Sequence, residues 1–580
     1  MHSAFLLFLA LSLPGVVFSQ YILSGKVTDI DSGEGLPGAH VSLLESGLNT
    51  VTDVQGMYNV EGLAAGTYTI EVSFVGYKKE VLTVELKANR VMDVQLTYTS
   101  VMGDEFIVRS TRVDENSPTA YSMIDRRQIS ESNTGQDLPY ILQLSPSVVT
   151  TSDAGGGIGY TGIRIRGTDI TRINVTMNGV PVNDPESHAV YFVDLPDLAS
   201  SVDNIQVQRG VGTSVNGAAA FGASINIQTT NLKLDPYGEL SSLAGSFNTF
   251  KNSARFGSGL IDGKWAFDGR FSAISSDGYV DRGWSDLSSF YLSGGYYGKK
   301  TILKAIVTSG REKTYQAWYG TPLDSLSANR TYNPSGEMYG PDGSIVGYYD
   351  NQTDNYKQDY YQLHFVQKLN DNLDLSSALF YTRGKGYYES YRNMDTYAEY
   401  GFEDVIIGGD TIRETNLVRQ KWLDNDFYGM NLAINYNRNR LKVTLGGGYN
   451  YYEGAHFGYI IWAEHSSDSF INKPWYENTG NKSDYHLFGK VNYLVGASLS
   501  LYADFQYRGI DYHIDGIHDN LRDLTQSHSF GFFNPKAGVH YSVNERNAFY
   551  ASVAVANREP NRNAYRDADP GQEIRPERLV

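Results

Sequence analysis

The chain contains no cysteine in 580 residues, which excludes a disulfide scaffold and any metal site built on thiolates. Tryptophan is scarce, six residues against 44 tyrosines. Long apolar runs are also missing. The longest, Ala4 to Leu13, spans ten residues before Pro14-Gly15, well short of the ~20 that a membrane helix needs. With Val17-Phe18-Ser19 behind it, this run reads as a secretory signal over residues 1–19, leaving Gln20 first. Positive charge is in deficit: 48 Lys and Arg face 65 Asp and Glu, a formal charge of −17. That argues against a nucleic-acid partner. Catalytic signatures are absent as well. HEXXH, HxxE, a Walker ending and GxSxG do not occur, so zinc hydrolysis, nucleotide binding and nucleophile-elbow chemistry lose their residues. Asp29 to Gly35 opens like a calcium loop, but its twelfth position is His40 rather than Glu. The chain is not expected to be an enzyme, and no cofactor or metal site is assigned.

An exported chain without an apolar helix is either soluble or crosses a membrane as a closed β-barrel, the other structure that pairs every backbone group. What is abundant favours the barrel. Aromatics reach 13% and glycine 59 residues, as expected of many turns and of strands that place rings at an interface. From about Tyr237 the chain repeats a hairpin pattern. Trp265, Phe267, Phe271 and Ala273 alternate with Ala266, Asp268, Arg270 and Ser272; Leu499, Leu501, Ala503 and Phe505 alternate with Ser500, Tyr502, Asp504 and Gln506. Met430, Leu432, Ile434 and Leu441, Val443, Leu445 repeat this on either side of residues 437–440. About thirteen strands fit between Gly238 and Ala556, each near the ~9–11 residues of a tilted membrane strand. Short turns near 261–264, 298–301, 370–372, 437–440, 495–498 and 543–547 alternate with long loops near 275–287, 311–357, 385–425, 453–483 and 509–527. Periplasmic turns and extracellular loops give that alternation.

Ahead of this region, residues 162–229 form short strands separated by glycine turns: IRIRG, then MNGVPVND, then DNIQVQRGVGTSVNGAAAFGASINIQT. These runs, in this order, resemble the plug domain of TonB-dependent outer-membrane receptors. Farther upstream, GLPGAHV, TDVQGMY and LAAGTYTIEVSFVGY are similar to the carboxypeptidase regulatory-like domain, a small seven-stranded sandwich without catalytic function. The expected layout is a signal at 1–19, the regulatory-like sandwich at 20–98, a linker at 99–116, the plug at 117–235 and the barrel at 236–580. The expected fold class is an all-β transmembrane barrel with an internal α+β plug and an N-terminal β-sandwich. Barrels of this class close with about 22 strands, so the reading expects C-terminal strands beyond this sequence. Within the plug, Asp137 to Leu144 is the one expected helical turn, and 155–159 and 182–189 are expected as turn-rich loops.

The resemblance implies TonB-dependent uptake at the outer membrane of a Gram-negative bacterium, in a layout found in Bacteroidetes-type receptors. Asp104, Glu105, Phe106, Ile107 and Val108 resemble the TonB box, an extended segment that would add a strand to a partner's sheet edge. The partners implied are a TonB protein with its inner-membrane energising complex, outer-membrane lipid and a small ligand, with room for a surface lipoprotein. Ligand contacts are expected from aromatic and His-bearing loops, at Trp318, Tyr319, His456, Trp462 and His465, with Trp475 and Tyr476 nearby. Asn183 and Asp184 belong to a plug loop that faces the ligand in the family. His456 and His465 are read as sharing one loop. A ferric siderophore or other iron complex is the ligand expected; a glycan, cobalamin, or a receptor or adhesin anchored by a barrel are the alternatives.

Overall fold

Apolar side chains cover the outside of the large sheet and polar ones fill its inside, the reverse of a soluble domain. In this computed structural model, described for residues 21–580 except 31–32, 45, 75–76, 78, 97–104, 115, 214–220, 467–469, 497, 545–546 and 570, the chain forms two compact units, 1–102 and 103–580. The expected signal at 1–19 and Asp104 lie outside the described residues.

The first unit is a sandwich of two four-stranded sheets. One orders Met57–Leu63, Tyr21–Asp29 and Arg90–Val91, with Val94–Leu96 also on Tyr21–Asp29; the other orders Leu48–Val51, His40–Leu43, Gly66–Ser73 and Glu80–Leu86. Leu23, Val27, Val41, Leu43, Ile70 and Val72 keep the period of two and are fully buried between the sheets. Eight strands form rather than the seven expected, because Arg90–Val91 and Val94–Leu96 pair in turn, parallel, with the first strand.

The second unit contains a thirteen-stranded antiparallel sheet, as the alternation predicts. Its strands are β1 (Tyr237–Gly245), β2 (Thr249–Gly257), β3 (Trp265–Ser276), β4 (Ser285–Tyr297), β5 (Thr301–Tyr315), β6 (Thr353–Asn370), β7 (Leu373–Thr396), β8 (Glu414–Arg438), β9 (Leu441–Ala463), β10 (Pro474–Val495), β11 (Leu499–Gly516), β12 (Gln526–Asn544) and β13 (Asn547–Ala554). Each pairs with the next, so the sheet is a continuous meander with β1 and β13 at its edges. On β3, Trp265, Phe267 and Phe271 are about half exposed, whereas Arg270 is 1% exposed. On β11, Leu501, Phe505 and Tyr507 face out while Ser500, Asp504 and Gln506 are buried. The strands β7 to β10 run to 22–25 residues, longer than a bilayer crossing requires. They continue past the apolar band, so the expected loops 385–425 and 453–483 shrink to 397–413 and 464–473.

Inside the sheet lies the plug. Its central sheet orders Val180–Pro181, Ile173–Met177, Ala223–Thr229, Val202–Arg209 and Ala120–Ile124. Asn178 and Gly179 both take positive φ in the tight turn after Ile173–Met177, as an Asn-Gly hairpin demands. Two short helices form where one was expected. Leu138–Leu142 follows Asp137, and Arg126–Ser132 is started by a capping box in which Asp125 accepts from the Gln128 amide and the Gln128 side chain accepts from the Asp125 amide. Their apolar faces, with Ile163, Ile165, Val175, Ile205 and Ile225, make the plug core.

The other face of the plug sheet is polar, and the inward residues of the wall meet it. Asp197 is buried between Lys251 of β2 and Arg270 of β3, and Ser272 donates to it. Ser289 donates to the Pro196 carbonyl at 2.6 Å, Tyr291 to Thr229 at 3.1 Å and Lys304 to the Thr230 carbonyl at 3.0 Å. Removing the charge with Asp197→Ala leaves two buried cations unpaired, which costs about 3–5 kcal/mol. Hydrogen exchange of the plug strands should report this as loss of protection, with the wall strands unaffected.

Candidate functional site

Cross-strand neighbours point to the same face of a sheet, so the register of β7 to β10 places an inward row of side chains above the plug. Tyr388 pairs with Lys421, and Ser390 with Arg419. Lys421 pairs with Gly458 and Leu423 with His456; Gly458 pairs with Tyr476 and His456 with Asn478. Trp318, from the connection after β5, packs edge-on between Tyr388 at 5.4 Å and Tyr160 of the plug at 5.6 Å. Its indole nitrogen is buried with no hydrogen-bond partner. Lys421 sits 5.7 Å from the Tyr388 ring centroid and pairs with Asp519 of the β11–β12 connection. Arg419 donates to the hydroxyls of Ser390 at 3.3 Å and Tyr400 at 3.2 Å. Its half-buried guanidinium has no carboxylate partner among the described residues. The row therefore joins aromatic faces to a guanidinium that no carboxylate among the described residues pairs.

Below this row stands plug loop 182–189, which is tightly held. Asn183 accepts from the Val175 amide at 2.7 Å and donates to the carbonyls of Ile173 and His188, both at 2.9 Å. Asp184 accepts from the amides of Glu186 and Ser187 at 3.1 and 2.6 Å. These two side chains thus shape the loop from within. At its tip Glu186 is 3% exposed. It accepts from Tyr512 at 2.6 Å, Tyr452 at 3.2 Å and Arg562 at 2.8 Å, and meets His456 Nε2 at 2.7 Å. Burial alone would raise its pKa, but His456, Arg562 and Tyr512 together outweigh that and hold the carboxyl well below the usual range. His188 approaches Glu559 at 3.3 Å, where Lys482 and Arg508 also converge at 2.7 Å. Arg558, Arg562 and Glu577 reach the plug, at the Thr171 carbonyl, Glu186 and Arg172 respectively. Beneath Trp318, Tyr160 donates to Asp354 and lies 3.4 Å from Glu312.

The residues singled out from the sequence separate into groups. Trp318 and His456 enter the inward row. Tyr319 is 70% exposed beside it. Trp462 is half exposed and stacks on Tyr391 at 6.5 Å. His456 and His465 do not share a loop: His456 is on β9, and His465 lies beyond its end. The cause is the length of β9, whose pairing with β8 continues past the apolar band. Through its backbone, His465 accepts from Tyr397 and donates to Thr415. Trp475 and Tyr476 pack with Tyr397, Tyr400 and Phe470 into a small core between connections. No group of three or more His, Cys, Asp or Glu among the described residues is arranged to hold a metal ion. Glu105–Val108 forms one helical turn rather than an extended segment. Ile107 and Val108 are buried inside the sheet, and Arg109 covers the Phe106 ring at 3.9 Å. Sequence reasoning missed Tyr160, Glu186, Tyr388, Arg419 and Lys421. The inward phase of β7 continued past 385, and that of β8 continued back before 425, would have pointed to the last three.

Two family models match. The TonB-dependent Receptor Plug Domain covers residues 113–224 and the CarboxypepD_reg-like domain residues 23–108. The chain therefore carries a TonB-dependent receptor plug domain and a CarboxypepD_reg-like domain. No curated protein matches the receptor. Solved structures with the same fold include the unliganded ferric citrate transporter FecA, with TM-score 0.61 and 15% identity over 80% of this chain and 66% of that one. The open form of the ferric-catecholate import receptor Fiu from E. coli K12 gives 0.56 and 14%, over 77% and 70%. The copper transporter OprC gives 0.57 and 13%, over 76% and 64%. The receptor sequence spans 56–70% of the length of such structures.

The loop also gives a pH dependence. Burial, reinforced by Lys482, pushes His188 down to about 4 from its ordinary 6.5. Between those values the unfolded chain binds a proton that the folded plug refuses. Stability present above pH 6.5 is therefore lost as pH falls towards 4. The thermal midpoint should drop across that window, and His188→Asn should flatten the drop.

Proposed function

We propose that the receptor imports a scarce ligand across the outer membrane of a Gram-negative bacterium, driven by TonB, and that the ligand is a ferric siderophore or related anionic iron chelate. The observation that carries the ligand class is the inward row in which Arg419, with no carboxylate partner among the described residues, stands beside Lys421, Tyr388 and Trp318. An anionic chelate with flat, partly apolar ligand arms is suited to guanidinium and aromatic faces together. Similar folds include a ferric citrate transporter and a ferric-catecholate import receptor, which supports the same class. The apolar outer band supports a place in lipid. In this reading the activity is transport without bond chemistry.

In this reading, residues 104–108 are the coupling segment. Ile107 and Val108 leave their buried positions when ligand binding above the plug favours release, and the freed strand pairs with TonB. Trp318, Tyr319 and His456 contact the ligand, whereas Asn183 and Asp184 set the shape of the plug loop beneath it.

The test is uptake of radiolabelled iron, supplied as ferric catecholate and ferric citrate, by cells carrying the full-length gene. Deleting residues 104–108 should abolish energy-dependent uptake and leave surface binding intact. Arg419→Ala with Lys421→Ala should weaken binding by about 2–4 kcal/mol, the scale of charge-assisted hydrogen bonds. Uptake of a glycan or cobalamin instead of iron would overturn the ligand class and keep transport. Binding without uptake in both strains would support a surface receptor. An arginine in place of Phe271 or Phe505 should cost about 2–4 kcal/mol in bilayer stability, measured by urea unfolding from lipid vesicles.

A further inference from the structure

Register lines the outward side chains of β5 to β9 into rows. Val307 of β5 lies opposite Tyr361, Tyr361 opposite Tyr381, Tyr381 opposite Tyr428 and Tyr428 opposite Tyr451. A ring of outward tyrosines marks the limit of the apolar band. One row nearer the long connections stand Ser309, Asp359, Arg383 and Asp426. The next row carries Arg311, Lys357 and Lys385, directly opposite one another on β5, β6 and β7. Like charges in that position repel. At ~3.3 Å per residue and a strand tilt near ~40°, these cations stand about 10 Å above the tyrosines. That is headgroup depth.

Counter-charges are shared unevenly along these rows. Lys385 pairs with Asp424 at 2.9 Å and Arg383 with Asp426 at 3.1 Å, both carboxylates on β8. Lys357 pairs with Asp359 at 2.9 Å, and Ser309 also donates to that carboxylate. One row above Arg311, Lys313 lies opposite Asp286. Arg311 is exposed and has no carboxylate partner among the described residues. Beside it the wall is hollow. Its row continues through Ser288, Ala273 and Asn252 of β4, β3 and β2, short side chains in turn. One row below them, Phe271 and Phe290 lie opposite each other and form an apolar shelf. The hollow, about 680 Å³, is bordered by these residues together with Arg311 and Lys357. Three strand spacings separate Asn252 from Arg311, about 14 Å.

We propose that this hollow seats the headgroup of an outer-leaflet glycolipid, with a phosphate on Arg311 and Lys357 and its sugars beside Ser288 and Asn252. The inference rests on the outer-membrane part of the reading above, and adds a lipid partner and the place where it binds. The planar guanidinium of Arg311 matches two oxygens of a phosphate at once. Lys357, directly opposite, shares the same anion, which turns a repulsive pair into an attractive site. Hydroxyls and an amide along the row suit the hydroxyls of a sugar. The Phe271 and Phe290 shelf beneath them takes the acyl chains. Length decides between lipid classes. The three carbons and phosphate of a glycerophospholipid, at ~1.5 Å per bond, reach roughly half the span from Asn252 to Arg311. A phosphorylated disaccharide covers it.

The test takes the full-length receptor from the outer-membrane fraction, strips its lipid and places it in phosphatidylcholine nanodiscs. Native mass spectrometry then reads the binding of a bis-phosphorylated diglucosamine glycolipid, its dephosphorylated form, phosphatidylglycerol and inorganic phosphate. The phosphorylated glycolipid should bind about tenfold or more tighter than the dephosphorylated one, the scale of a charge-assisted contact. Arg311→Ser with Lys357→Ser should erase that preference. Ser288→Trp, which fills the hollow and keeps both cations, should weaken binding of both glycolipids. Lys299→Ser with Lys300→Ser, at the short turn before β5, should change neither. Comparing lipids on the native receptor needs no variant to fold. Equal binding with and without phosphate overturns the site. So does phosphatidylglycerol or inorganic phosphate binding as tightly as the phosphorylated glycolipid, or equal losses from the Lys299→Ser and Lys300→Ser pair. The expected preference in a receptor that takes up no iron supports the site and overturns the ligand class proposed above. A receptor absent from the outer-membrane fraction overturns the membrane reading and the site with it.

Discussion

A sheet with an apolar outer face turns its polar residues inward, where water is largely displaced by the plug and each buried group needs a partner. The plug supplies them. Its sheet carries an apolar face towards its own helices and a face of Gln206, Gln208, Asn226 and Gln228 towards the rest of the structure. Asp197 is one such tie, because Lys251 of β2 and Arg270 and Ser272 of β3 end on one carboxylate. The cost of leaving any of these charges alone in the interior is what fixes the plug's register against the wall.

The same constraint explains why the region above the plug can act as a binding surface. Where wall and plug meet on a shared buried carboxylate, as at Asp197, little is left for a ligand. Around Arg419 and Trp318 the polar groups are incompletely matched, and they sit where the strands rise beyond the apolar band. Glu186 shows the intermediate case: four wall and loop groups hold it, so the loop beneath the ligand row has a defined shape but depends on side chains from β9, β11 and residue 562. A change in any of those contacts is felt by the plug.

Alternation of Trp265, Phe267 and Phe271 with Asp268, Arg270 and Ser272 was enough to read strand, face and environment, since the period of two is a local property. The Asn178-Gly179 turn was legible for the same reason. The regulatory-like and plug regions were recognisable from short runs of residues. Less was legible in the upper wall. There the apolar signal ends while the hydrogen-bond ladder continues, so the stretches of β7 to β10 within 385–425 and 453–483 looked like loops. His456 was therefore misplaced, and Tyr388, Arg419 and Lys421 went unnoticed. The helical turn at Glu105–Val108 was hidden too, because an apolar segment is extended or helical according to what it packs against.

By itself the sequence determined the β architecture, the thirteen strands and their inward and outward faces, because alternating side chains and glycine turns act over a few residues. Only the tertiary structure decided which inward side chains meet. That Glu186 gathers His456, Tyr512 and Arg562, and that Arg419 meets no carboxylate among the described residues, both depend on register between distant strands. Pairing of that kind is set by the whole sheet closing on the plug at once, and no local run of residues records it.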